Sequence, residues 1–93
     1  MTIDSKQILR SGTSIGANTK EAVQASSKRD FLMKMNIALK EASETEYWIE
    51  LLIATKYIDA NASKILLTEC KEINRILGSI VKTTKNNLKI SDD

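Results

Sequence analysis

The segment Lys28–Lys56, KRDFLMKMNIALKEASETEYWIELLIATK, decides the fold. Phe31, Met35, Ala38, Ala42, Thr45, Ile49 and Leu52 recur in it at alternating steps of four and three. That spacing places them on one side of a helix and forms a heptad seam. The middle of the seam is small, with Ala38, Ala42 and Thr45, so another helix can approach there at close range. A second stripe carries Ile37, Glu41, Glu44, Trp48 and Leu51. A helix apolar on more than one side contacts more than one neighbour. The reading predicts a central helix over about 28–56. Ser27, followed three residues later by Asp30, marks its start as an N-cap close to a capping box.

Two further helices flank it. In the first, predicted over about 4–25, Ile8, Ile15 and Ala22 recur every seven residues, with Ser11, Gly12, Asn18 and Thr19 beside them. A polar stripe of Arg10, Ser14 and Glu21 runs alongside. Gly12 and Gly16 are four apart and share one surface of that helix. Each costs a helix interior roughly 0.5–1 kcal/mol relative to alanine. Close contact with another helix is the expected return, and the small seam of the central helix is the nearest candidate to provide it. Residues 57–62 read as a connection, with Asp59 or Asn61 as N-cap. The third helix is predicted over about 62–87. Its seam is Leu66, Cys70, Ile73, Leu77, Ile80 and Thr84, with Leu67 and Val81 on one flank and Ile76 on the other. The tail from Leu88 is expected to fray.

Composition narrows the class. Ninety-three residues make one domain, 1–93, and a chain this short gains stability readily by oligomerising. Proline is absent and glycine is scarce, which favours long helices. The expected fold is all-α, an antiparallel up-and-down bundle of three helices. There is no histidine, so the commonest general base and metal ligand are missing. One cysteine supports no intrachain disulfide and fits an intracellular setting. No run approaches the ~18 uninterrupted apolar residues of a membrane helix, and the first ten residues lack a signal-peptide core. The expected location is cytoplasmic, with no membrane partner.

No catalytic constellation emerges. Arg10, Ser14, Asn18 and Glu21 occupy neighbouring turns, and Glu41 and Glu44 could meet them from the next helix. An arginine fork holding carboxylates would set helix register; a phosphate or small-molecule pocket is the weaker alternative. Glu41, Glu44, Glu46 and Glu50 form an acidic run, but the di-iron pattern needs Glu-x-x-His pairs, and a solvated face or intersubunit pairing with lysines is expected instead. No metal or cofactor is expected. Cys70, on the apolar seam, reads as a buried, inert thiol. Trp48 reads as a bundle or subunit-interface anchor, with Tyr47 nearer the surface. Gly12, Gly16, Trp48 and an Arg10–Glu44 network are the candidate assembly residues.

Positive charge gathers late in the chain. Between Lys71 and Lys89, five basic residues face one acidic residue. Lys71, Arg75, Lys82 and Lys89 recur at helical spacing, with Lys85 alongside; Lys28, Arg29 and Lys34 could extend the patch. Such a stripe can track phosphates without reading sequence. An ordinary solvated helix face is the plain alternative.

Three blocks carry a family resemblance: Arg10–Asn18 (RSGTSIGAN), Ile37–Leu52 (IALKEASETEYWIELL) and Ile73–Lys85 (INRILGSIVKTTK). In this order and spacing they resemble the small bacterial four helix bundle proteins, also labelled 23S rRNA-intervening-sequence proteins. The resemblance runs from about Ser5 to Asn87. It implies an antiparallel bundle that assembles into a ring, typically a homopentamer, and one relative works with nucleic acid and a reverse transcriptase. The label records where some of the genes lie and assigns no activity. Family members usually carry a further helix ahead of the Arg-Ser-Gly-Thr-Ser-Ile block, whereas nine residues precede Arg10 here. A three-helix chain would expose an apolar groove where that helix packs.

The expected function is therefore a non-enzymatic homo-oligomeric helical scaffold, with RNA or DNA as partner of the basic face formed by Lys71, Arg75, Lys82, Lys85 and Lys89. The alternative is a protein-interaction adaptor whose apolar groove receives a partner helix.

Overall fold

The structure is a computed structural model that describes residues 5–55 and 59–91. Its elements are three helices: α1 (Ser5–Val23), α2 (Lys28–Ala54) and α3 (Ala60–Ser91). The molecule measures 51 × 20 × 19 Å. Its long dimension follows from α3, whose 32 residues at a rise of about 1.5 Å each span nearly its whole length.

Local signals place the helix ends. Ser27 is extended and its hydroxyl oxygen accepts from the Asp30 N–H at 3.1 Å, starting α2 where the sequence indicated. Of the two candidate caps for α3, Asp59 serves: its carboxylate accepts from the Asn61 N–H at 3.4 Å, and Asn61 lies inside the helix. α1 ends slightly earlier than predicted, closing through Gln24 N–H bonds to the Lys20 and Glu21 carbonyls. The predicted end of α2 at Lys56, and Tyr57 in the connection, lie outside the described residues. The tail expected to fray instead continues as helix to Ser91. Leu88 is half-buried there, near Leu32 and Met33 of α2, so an apolar side chain still holds the last turns.

α2 is central, as predicted. Its buried residues are Met35, Ala38, Ala42, Thr45, Ile49 and Leu52, with Phe31 partly buried against the same core. α1 and α3 both pack on α2 and are antiparallel to it. Ala22 of α1 and Leu77 and Val81 of α3 join Met35, Ala38 and Ala42 in one buried cluster. Glu21 pairs with Lys34 at 2.9 Å across the α1–α2 seam.

The α2–α3 seam carries polar links as well. The Asn74 side-chain amide donates to the Ala42 carbonyl at 3.2 Å and to a Glu46 carboxylate oxygen at 2.9 Å, while the Ser43 hydroxyl donates to the Asn74 oxygen at 3.2 Å. Cys70 is buried, its thiol 3.6 Å from the same Ala42 carbonyl.

The third helix corrects its predicted seam. Cys70 and Leu77 are buried as expected, but their partners are Ser63 and Val81. Leu66 and Ile73 stay exposed, and Val81, predicted on a flank, belongs to the core. The apolar arc of α3 is wider than one neighbour covers. α2 takes the Cys70–Leu77–Val81 side and leaves the Leu66–Ile73 side open.

Candidate functional site: the α1–α3 groove and the basic face

Among the described residues, no Cα of α1 comes within 8 Å of a Cα of α3. Both helices lean on α2 and diverge on the side away from it. A cleft of about 480 Å³ lies between them, lined by Ile15, Gly16 and Val23 of α1 and Ile73, Ile76 and Leu77 of α3. Val23 is 76% exposed, Ile73 42% and Ile76 43%. Leu9, two turns before Gly16, and Leu66, two turns before Ile73, are exposed too, and by helical spacing they prolong the apolar walls. An apolar trench of this kind is the feature a folded chain normally covers.

Gly16 lines this groove, and neither Gly12 nor Gly16 packs into the α2 seam. A Cβ built at Gly12 or Gly16 would meet nothing within 4 Å. The small side chains that α1 buries are Ser11 and Ala22. Ile15 sits beside that buried side, and Gly16, about 100° further round the helix, turns toward the open cleft. The expected close approach of the glycine surface to α2 is thus not made; among the described residues nothing uses it.

The Arg10–Glu44 network is likewise not closed inside the chain. Arg10 and Glu44 are both exposed, and among the described residues no ion pair joins them. Glu21 turns to Lys34 instead, and Asn18 bonds back to the Ser14 carbonyl at 2.9 Å. The pairing with Glu21 raises the Lys34 pKa, through the hydrogen bond first and the charge second. Lys34 therefore adds no free charge to the basic patch. Trp48 is half-buried and meets Tyr47 edge-on, with ring centroids 5.1 Å apart at 62°; Tyr47 is exposed.

Lys71, Arg75, Lys82, Lys85 and Lys89 are all exposed. Their spacing puts them on the side of α3 remote from the groove wall of Leu66 and Ile73. Arg75 is engaged by Glu72, its guanidinium donating to both carboxylate oxygens, with Nε at 3.1 Å from one of them. That hydrogen bond holds the Glu72 carboxyl below its ordinary range. The four lysines make no ion pair among the described residues, so they carry the free charge of the stripe.

The remaining candidates are structural. Among the described residues no group of three or more His, Cys, Asp or Glu side chains is arranged to hold a metal ion. Glu46, from the acidic run, accepts from Asn74. Burial pushes the Cys70 thiol up, and the charges of Glu46 and Glu50 add to the effect, the opposite of what a nucleophilic cysteine needs. Asn74 was not singled out from sequence; an Asn among aliphatic residues of a predicted seam was the available signal. No described helix is long and apolar enough to cross a membrane.

Comparison with known proteins agrees with this architecture. A solved protein of the S23 ribosomal protein family from Bacteroides thetaiotaomicron, described as of unknown function, superposes with a TM-score of 0.81 at 58% sequence identity. The match covers 88% of this chain and 76% of that one. No curated protein matches. The 23S rRNA-intervening sequence protein family matches residues 3–79. Neither description names an enzymatic activity. With its three blocks, its central small-residue helix and its open bundle, the chain belongs to the 23S rRNA-intervening sequence protein family.

Proposed function

We propose that the protein is a non-enzymatic assembly module whose α1–α3 groove is closed by another helical surface. The observation that supports this is the groove itself: Val23, Ile73 and Ile76 stand exposed on facing walls, with nothing among the described residues between them. Burying apolar area releases about 25 cal/mol per Å², so covering these walls is a ready source of association energy. Gly16, open on the same face, lets a partner helix approach closely. Ile73→Glu tests the reading. A charge in the groove should abolish association measured by light scattering while the helical circular dichroism persists. Unchanged association would refute it.

A second reading concerns the other side of α3. Lys71, Lys82, Lys85 and Lys89 form a one-sided stripe free of carboxylate partners among the described residues, and this favours phosphate-backbone binding to RNA or DNA. The stripe and the groove lie on different sides of α3, so assembly would leave the stripe accessible and repeat it around the oligomer. Binding to a short RNA that weakens steeply with salt would support this reading; binding indifferent to salt would count against it.

A further inference from the structure

We infer that the basic stripe of α3 takes single-stranded nucleic acid, and that a pocket between the start of α2 and the end of α3 receives one of its unpaired bases. The inference rests on the nucleic-acid reading above and names the substrate class. The pocket holds about 410 Å³ and is lined by Arg29, Leu32, Met33, Asn36 and Ile37 of α2 and Leu88 of α3. It shares no lining residue with the α1–α3 groove.

The stripe runs along the rim of this pocket. The Ser43 hydroxyl donates to the Asn74 oxygen at 3.2 Å, a bond that crosses the α2–α3 seam. Lys85 stands about three turns beyond Asn74 on the same line of α3. Asn36 and Leu32 stand about two and three turns before Ser43 on the same line of α2. Because the two helices are antiparallel, Lys85 comes opposite Leu32 and Asn36 across the seam. Lys82 and Lys89 neighbour Lys85 by helical spacing. A molecule seated in the pocket therefore has three lysines beside it, none in an ion pair among the described residues. Gly78, one turn past Asn74, has open space where a Cβ would stand, so a sugar-phosphate chain can pass along the seam.

The lining suits a base. Met33 and Ile37 are exposed there, and Leu32 and Leu88 are half-buried beside them. A methionine thioether packs favourably on aromatic rings. Within this apolar lining Asn36 is half-buried, and its side-chain amide makes no hydrogen bond among the described residues. An amide offers a donor and an acceptor together, the combination that base edges present. Arg29 brings a planar guanidinium, on which bases stack. An apolar pocket with a few convergent polar groups is the usual form of a small-ligand site. The lysines on its rim select a ligand that joins a flat ring to an anionic backbone. A duplex keeps its bases stacked inside and offers the stripe only phosphates. A single strand can turn a base outward.

The test is fluorescence anisotropy of the full chain with a short single-stranded RNA, and with the same strand annealed to its complement, across a range of salt. Met33→Ala and Asn36→Ala should each bind the strand roughly tenfold more weakly, with an unchanged salt slope, and bind the duplex as wild type does. Lys85→Gln should instead make the salt slope shallower for both probes. Helical circular dichroism checks that the variants fold. A fluorescent purine analogue, placed at each position of the strand in turn, should brighten at one or more of them on binding wild type, as the base leaves its stack. That arm needs no variant. Equal weakening of strand and duplex, an unchanged strand affinity, or an analogue dim at every position overturns the pocket and leaves the stripe. Binding of neither probe overturns the pocket and the nucleic-acid reading together, as does binding of an acidic amphipathic peptide in place of both.

Discussion

Asn74 on α3 donates its side-chain amide to the main-chain carbonyl of Ala42 on α2 at 3.2 Å. Ala42 is fully buried and has only a methyl group, and that is what lets a side chain from the neighbouring helix reach its backbone. The same amide reaches Glu46, and Ser43 donates back to the Asn74 oxygen. One residue thus ties α3 to α2 at Ala42, Ser43 and Glu46. Asn74→Ala removes all three bonds. We expect a loss of about 1–3 kcal/mol, read as a lower urea midpoint with unchanged slope; Asn74→Ser should cost less. A midpoint equal to wild type would show that the apolar seam alone sets the register.

Gly12 separates folding from assembly. A methyl group there meets nothing within 4 Å, and alanine is the better helix former by about 0.5–1 kcal/mol. Gly12→Ala should therefore raise thermal stability. Gly16→Leu, by contrast, should fill the groove wall, leave the fold intact and weaken association in light scattering. A melting temperature lowered by Gly12→Ala would mean that the glycine is used inside the chain.

Cys70 sets a pH dependence. Burial raises its pKa, with Glu46 and Glu50 adding to the shift. The folded chain keeps a proton that the unfolded chain gives up above the ordinary thiol value. Its contribution to stability is complete below that value and declines as pH rises from there toward the raised folded one. Urea midpoints at pH 7 and pH ~9.5 should fall further for wild type than for Cys70→Ala. The thiol should also resist a disulfide-exchange reagent until the chain unfolds. Rapid labelling of the native protein would contradict its burial.

The basic face makes a quantitative forecast for nucleic acid. Replacing Lys71, Lys82, Lys85 and Lys89 by Gln should make the slope of log affinity against log salt shallower. The change should be about 0.7 for each phosphate of a single strand that the protein ceases to neutralise. Arg75→Gln should change it less, because Glu72 already engages that guanidinium. Equal slopes for wild type and the quadruple variant would remove the face from consideration.

The α2 seam was legible in the sequence because one residue pattern, Phe31 to Leu52, has a single period and is covered on its whole width. α3 was legible only in part. Leu66, Ile73 and Ile80 lie on the same apolar arc as Cys70 and Leu77, and periodicity reports that an arc is apolar without reporting which neighbour covers it. The basic stripe was visible as spacing, but the engagement of Arg75 by Glu72 depends on a rotamer that spacing does not specify.

The sequence by itself determined three helices, their order, the Ser27 cap, the small central seam and the absence of histidine chemistry, since these follow from local propensity and the 3.6-residue period. The tertiary structure decided what those elements leave over. It turned Gly12 and Gly16 away from α2, paired Glu21 with Lys34 instead of Arg10 with Glu44, and held α1 and α3 apart. The physical reason is that α2 has two sides to cover and α1 and α3 take one each. Each flanking helix then has apolar surface remaining, and which residues lie on it depends on the rotation of whole helices against one another, a quantity that no local stretch of sequence contains.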